Sequence, residues 1–261
     1  LLIVQNKATT TPAGLNTAIR AASGQIIVRL DGHSVLPPGY VAQAVRTLED
    51  KQADNVGGIQ RAVGRSFIER AIALAMTSRM GVGNARFHYG GRSGPTDTVY
   101  LGCFRRDVFD RFVFFDETLI RNQDYELNLR IRQGGGLVWF DPRLEVEYRP
   151  RSTIRDLWTQ YSQYGRWKRE VLRRYPQSVK VRQLAAPALL IGLAGSGALA
   201  LTPLRALSAI VPSLYGAALL AATLNAAVFR RSEAALLLPL VLPTMHVAWG
   251  LGFLWPSRID H

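Results

Sequence analysis

Three long stretches without one charged residue, 183–204, 206–229 and 234–257, constrain this chain more than anything else in it. Each reaches the roughly 20 apolar residues that carry an α-helix across a bilayer. A surface helix of a water-soluble protein keeps a polar face. Three such runs in succession, parted only by Arg205 and by the segment 230–233, therefore predict three membrane-spanning helices. Gly192, Gly195, Ser196 and Gly197 make the first run the least hydrophobic and suit it to close packing on another helix.

Charge divides the chain at the same place. Only four of the 32 lysines and arginines, and two of the 19 acidic residues, lie after position 182, so residues 1–182 hold +11 of the net +13. The expected organisation is a water-soluble basic domain at 1–150, a basic aromatic juxtamembrane helix at 151–182 and a transmembrane region at 183–261. Lys168, Arg169, Arg173, Arg174, Lys180 and Arg182 precede the first run, Arg205 alone follows it, and Arg230 and Arg231 lie between the second and third. By the positive-inside rule this alternation predicts a multi-pass protein of the inner (plasma) membrane with its N-terminal domain in the cytoplasm. A basic chain also raises nucleic-acid binding. Much of the positive charge, however, crowds beside the first apolar run, where it suits anionic headgroups and phosphate-bearing lipids, so no nucleic-acid partner is expected. The lone Cys103 cannot form an intrachain disulfide and fits a reducing compartment.

The N-terminal domain reads as α/β. The apolar stretch 1–4 predicts a strand, with neither the charged region nor the cleavage site of a signal peptide ahead of it. A helix over 12–22 follows, with Thr10 or Thr11 as N-cap and Pro12 in its first turn, and Ser23-Gly24 ends it. The mostly apolar 25–30 predicts a strand buried on both faces, as parallel strands are. Strand, helix and strand within about 30 residues form a βαβ unit. Asp31-Gly32-His33 stands just past the carboxyl end of the second strand, where ligands of open α/β sheets gather. Taken alone, the triplet fits a turn built on Asp and Gly as well as a metal site.

Further segments add to it: TTPAGLNTAIRAASGQIIVRLDGHSVLPPGYV at 10–41, GVGNARFHYGG at 81–91, YLGCFRRDVFDR at 100–111, NQDYELNLRIRQGG at 122–135 and QYGRW at 163–167. In this order they resemble the family-2 glycosyltransferases of GT-A fold, and most closely the succinoglycan glucosyltransferase branch. The resemblance covers most of residues 1–167, and its strength lies in the series. It implies a GT-A domain. It also implies that the family's opening strand, with an acidic residue that grips the nucleotide, belongs ahead of Leu1, so the GT-A domain here would lack its first βα units.

By the same resemblance Asp31 holds a divalent cation, Mn²⁺ or Mg²⁺, against the nucleotide diphosphate. His33 takes the second acidic position of the family's Asp-x-Asp motif; imidazole is a competent ligand for Mn²⁺ and a poor one for Mg²⁺. Asp124 matches the family's general base, and Gln123 replaces the acid that commonly precedes it. A single carboxylate serves one direct displacement with inversion, whereas retention by double displacement needs a second. Read without the family, Asp124 is a helix N-terminal carboxylate favoured by the macrodipole. Gln163, Arg166 and Trp167 match a Q-x-x-R-W motif that in membrane-bound members lies near the donor diphosphate and the acceptor sugar. Arg166 would offer a forked hydrogen bond to the leaving group and Trp167 a stacking face. The aromatic spacing Trp158, Tyr161, Tyr164, Trp167 equally suits an interfacial helix. Gly102 resembles the acceptor-side loop and Asn16 a recurrent family position, and both are taken as donor- or acceptor-binding. Cys103 reads as a small buried hydrophobe, His88 and His246 as structural.

The resemblance thus implies an inverting hexosyltransferase. Its donor would be a nucleotide-diphosphate sugar (UDP-glucose or similar), and its acceptor a polyprenyl-phosphate-linked or other lipid-linked saccharide in bacterial surface or exopolysaccharide synthesis. Gln123 and His33 leave a non-catalytic glycan-binding or scaffolding membrane subunit with a degenerate transferase domain as an alternative, and the 163–167 motif leaves a processive polysaccharide synthase.

Overall fold

A computed structural model describes residues 2–32 and 34–255 of the chain. Two compact units can be distinguished, one of residues up to 61 together with 85–148, the other of residues 62–84 together with 149–255.

The first unit is a mixed α/β sheet unit. In chain order it holds α1 (Thr11–Ala21), β1 (Ile26–Val28), α2 (Tyr40–Asp50) and β2 (Asn55–Ala62). In the second unit, α3 (Phe67–Met76) and α4 (Arg79–Val82) interrupt it. The sheet unit resumes with α5 (Arg86–Tyr89), β3 (Gly94–Pro95), β4 (Tyr100–Arg105), α6 (Val108–Arg111), α7 (Gln123–Gln133) and β5 (Val138–Tyr148). The five strands lie in the order β1-β4-β2-β5-β3, with β1 and β2 both antiparallel to β4 and β3 antiparallel to β5. Alternating side chains of β4 feed two cores. Phe104 joins Ile19, Val108, Phe109, Phe115, Leu127, Ile131 and Phe140, while Leu101 and Cys103 join Tyr40, Ala44, Leu48, Val56, Leu144 and Val146. α2 earns its place by periodicity, burying Tyr40, Ala44, Thr47 and Leu48 on one face.

Two expectations fail here. Residues 2–4 form no strand: Leu2, Ile3 and Val4 stand exposed, outside the ladder. The strand expected at 25–30 contracts to Ile26–Val28, only partly buried, antiparallel to β4 and at the end of the strand order. Among the described residues no βαβ unit therefore forms before position 31, and Leu1 of the expected first strand lies outside them. Apolar composition marked the β1 segment correctly, but composition cannot tell an edge strand from a central one.

The second unit is helical. After β5 come α8 (Ile154–Arg174), α9 (Val181–Leu199), α10 (Ile210–Val228) and α11 (Leu238–Leu254). Single-turn 3₁₀ segments precede α10 at Arg205–Ala209 and α11 at Glu233–Leu237. Among the described residues two helices are long and apolar enough to cross a membrane, Arg205–Val228 and Glu233–Leu254. α9 fills the place of the first run, but Arg182 and Gln183 in its opening turn and the glycines of its second half lower its hydrophobicity.

α8 packs on α11 through glycines. A Cβ added at Gly165 would lie 2.0 Å from the Trp249 carbonyl oxygen, and one at Gly252 would lie 2.1 Å from that of Ser162. The two backbones thus meet without side chains between them. α3 opens with a capping box of Ser66 and Glu69. Glu69 is buried; Arg149 (2.9 Å) and the N–H groups of Arg65 and Ser66 hold its pKa down to about 2. Arg230 donates to the Thr77 hydroxyl and carbonyl at the end of α3, a cation where the helix dipole favours one. His246 bridges the Tyr215 hydroxyl (2.8 Å) and the Met80 carbonyl (2.9 Å), so it is structural as expected.

Candidate active site

Asp31 sits three residues past β1, in a turn closed by the Ser34 N–H donating to its carbonyl at 2.9 Å. Arg29 grips its carboxylate with a fork, Nε to Oδ1 at 2.8 Å and Nη2 to Oδ2 at 3.2 Å. The pair is mostly buried, with Asp31 the more exposed partner. The Tyr100 and Ser34 hydroxyls lie 3.0 Å apart. Burial pushes the Tyr100 hydroxyl above its ordinary pKa, and the Asp31 carboxylate adds to the rise. The Arg29 N–H donates to the Gly102 carbonyl, tying this turn to β4. His33 lies outside the described residues.

Gly102 is buried within β4 at φ +96°, next to Leu101 at φ +62°. The register slips by one residue here, since Val56 faces Cys103 while Gly58 faces Tyr100. A Cβ on Gly102 would meet the Phe104 ring at 2.5 Å. A β-bulge thus accounts for the glycine. Cys103 beside it is buried, and burial pushes its thiol up to about 12, the reverse of what a nucleophile needs.

Asp124 occupies the first turn of α7, which Asn122 enters in the left-handed conformation, φ +61°. The Asp124 carboxylate is partly exposed, and among the described residues its one hydrogen bond is from the adjacent Tyr125 N–H to Oδ1, 2.8 Å. The buried acids of this unit are committed. Glu126 is 1 % exposed and forked by Arg130, Asp141 is held by Arg143 and Thr47, and Asp54 by Arg111 and the Leu137 N–H. A helix terminus with an open carboxylate at the surface can accept a proton from a bound hydroxyl; a buried, paired one cannot.

The helix carrying Asp124 is fixed from below by a polar chain the sequence did not reveal. Asn128, one turn on, accepts from buried Asn55 of β2 at 2.7 Å and donates to the Thr98 hydroxyl at 3.1 Å. The available signal was an Asn amid Leu127, Leu129 and Ile131 on a buried face. Asn16, read as a binding residue, is 1 % exposed, and its amide bonds Phe115 and Glu117. A cavity of about 310 Å³ opens between α1 and β1, lined by Leu15, Ile19, Ile27, Arg29, Phe104 and Phe115 among others. Arg29 is its one charged wall, so the cavity itself carries no acid–base chemistry.

Gln163, Arg166 and Trp167 lie on α8 in the helical unit. Trp167 is buried, while Trp158 nine positions earlier is 41 % exposed. Arg166 is partly exposed, with its Nε buried and unbonded among the described residues. Gly165 between them serves the contact with α11 described above.

Residues 1–170 match the family model "Glycosyltransferase like family 2". The chain belongs to that family. It is a glycosyltransferase, and its mixed sheet is of GT-A type. Among curated proteins it is similar to the succinoglycan biosynthesis protein ExoA of Rhizobium meliloti (strain 1021), 26 % identical over 263 residues that span all of this chain and 78 % of that protein. It also resembles a dolichyl N-acetyl-α-D-glucosaminyl phosphate 3-β-D-2,3-diacetamido-2,3-dideoxy-β-D-glucuronosyltransferase of Methanococcus voltae. There the identity is 23 % over 165 residues, 61 % of this chain and 51 % of that protein. Among solved structures, the mannosyltransferase PcManGT from Pyrobaculum calidifontis, in complex with GDP-Man and Mn²⁺, superposes with a TM-score of 0.61 at 17 % identity. The match covers 98 % of this chain and 69 % of that one.

Proposed function

We propose that this glycosyltransferase moves a hexose from a nucleotide-diphosphate sugar, UDP-glucose or a relative, to a lipid-linked saccharide in surface or exopolysaccharide synthesis, with inversion at the anomeric carbon. The observation that carries the reading is the open Asp124 carboxylate at the head of α7, whereas the buried acids Glu126, Asp141 and Asp54 of the same unit are paired. Asp124 takes the proton from the acceptor hydroxyl as its oxygen bonds to the anomeric carbon and the bond to the diphosphate oxygen breaks. One carboxylate suffices for that step. The likeness to a protein of succinoglycan biosynthesis and to a transferase with a dolichyl-phosphate-linked acceptor supports a lipid-borne saccharide.

Asp31 offers hard carboxylate oxygens past the end of β1, the donor type that Mg²⁺ and Mn²⁺ accept. Asp31 would hold the cation, with His33, the second expected ligand, outside the described residues. The fit requires Arg29 to release one or both oxygens. A bound divalent cation supplies Lewis-acid neutralisation of the leaving diphosphate. Arg29, so released, is a second cation for those phosphates. The Mn²⁺ in the related mannosyltransferase structure supports a metal of this kind.

The helices of the second unit anchor the enzyme, in this reading by three spans with the sheet unit in the cytoplasm. The basic residues of α8, among them Arg169, Arg173 and Arg174, suit the phosphates of a lipid-borne acceptor. The test is Asp124→Asn in the full-length protein: transfer falls at least about 1,000-fold, within the range a lost general base costs, while nucleotide-sugar affinity is unchanged. Near-parental turnover would overturn the assignment.

A further inference from the structure

The open carboxylate of Asp124 is delivered by the loop 112–122, and the residues holding that loop come from two distant parts of the chain. From α1, buried Asn16 donates to the Phe115 carbonyl (2.9 Å) and to Glu117 Oε1 (2.8 Å), and its own oxygen accepts from the Phe115 N–H (3.0 Å). One amide thus satisfies both backbone groups of one residue, the arrangement a neighbouring strand would otherwise supply. From α7, Arg130 donates to the carbonyls of Phe112, Val113 (3.2 Å) and Phe114 (2.8 Å), while Glu126 holds its guanidinium through Nε (2.6 Å) and Nη2 (2.8 Å).

The loop needs such holding. Val113 at φ +65° and Asn122 at φ +61° are non-glycine residues in the left-handed region, one at each end. Backbone of that kind persists only where the surroundings over-determine it. Asp116 Oδ1 adds a local clamp on the Thr118 N–H and hydroxyl. Asn122 in turn sets the first turn of α7, its carbonyl accepting from the Glu126 N–H two residues beyond Asp124.

We infer that Asn16 is a positioning residue, which through the Phe115 backbone fixes the loop that places the Asp124 carboxylate, with Arg130 as its counterpart from α7. This rests on the reading of Asp124 as the base. It gives Asn16 a role that needs no contact with donor or acceptor.

The test uses the full-length protein in detergent with a nucleotide-sugar donor and its lipid-linked acceptor. Asn16→Ala lowers kcat by about 100-fold, the scale of a misplacement of roughly 1 Å. KM for the donor stays within about twofold, because donor binding is untouched. Hydrogen exchange accelerates at 112–122 while β2 and β4 stay protected. In an Asp124→Asn background Asn16→Ala adds no further loss. Should Asn16→Ala not fold, Asn16→Asp keeps the volume and the bond from the Phe115 N–H. It loses both donated bonds, so kcat falls by a smaller factor, and Glu117→Gln restores part of it by returning a donor to the pair. Parental kcat in Asn16→Ala, or a loss borne by donor KM instead, overturns the inference. Normal turnover by Asp124→Asn alone would sink the base assignment and leave the loop measurement standing.

Discussion

Replacing Gly165 by alanine separates two accounts of α8 by sign. Helix propensity favours alanine over glycine in a helix interior by about 1 kcal/mol, so a free α8 would be stabilised. The packing says otherwise. The added Cβ would stand 2.0 Å from the Trp249 carbonyl oxygen and 2.9 Å from the Phe253 nitrogen, and both are backbone atoms that cannot rotate away. An ordinary contact needs about 3.4 Å, so α8 and α11 must part by roughly 1.4 Å along their closest line. Overpacking of this kind costs about 1–3 kcal/mol, which outweighs the propensity gain. Gly252→Ala makes the same demand from the other helix, 2.1 Å from the Ser162 carbonyl. Once the helices have parted for one methyl the second meets less resistance, so the double variant should cost less than the two singles together. Apparent Tm in detergent, read for both singles and the double at fixed scan rate, decides it. A rise in Tm for Gly165→Ala, or strict additivity, would refute close α8–α11 packing.

Other outcomes follow from the same geometry. Glu69 has a folded-state pKa of about 2 against an ordinary 4.5, so its stabilising contribution is complete above 4.5 and is lost as pH falls from there through about 2. Glu69→Gln should therefore flatten the Tm-versus-pH curve between pH 4.5 and 2, and an unchanged slope would count against the Arg149 pair. Asn128→Ala leaves the Asn55 amide and the Thr98 hydroxyl buried without each other's bridge, at about 1–3 kcal/mol for each orphaned group. Urea unfolding should show that loss, and a cost under about 0.5 kcal/mol would contradict the network. Cys103, with its thiol pushed up to about 12 and buried, should resist thiol reagents in the folded protein at pH 8 and react on denaturation, and Cys103→Ala should retain turnover.

What could be read in advance was whatever depends on local pattern. The helix start that carries Asp124 was legible from its acidic first turn, and so were the apolar helices after residue 181, because first-turn charge and run length are properties of one segment. Asp31 stood past a strand end as its neighbours implied. What stayed hidden depends on partners far along the chain. Ile26–Val28 had the composition of a central strand but pairs on one side only. Residues 2–4 are as apolar as a strand and find no ladder. The fork from Arg29 onto Asp31 depends on a turn whose course the sequence does not fix. Asn16 looked like a ligand-binding amide, yet both its donors and its acceptor are spent on residues a hundred positions away. Nor did anything mark 62–84 as a segment that leaves the sheet for the helical unit, since an amphipathic helix announces that it has a buried face but not what covers it.

The central claim is a single displacement served by one carboxylate. Its most direct measurement is the anomeric configuration of the new linkage, read from the proton coupling of the product formed by the full-length enzyme from an α-linked nucleotide sugar. The account predicts a β-linked product; an α-linked one would mean a double displacement or another route altogether, and Asp124 could not then be the base of a direct transfer.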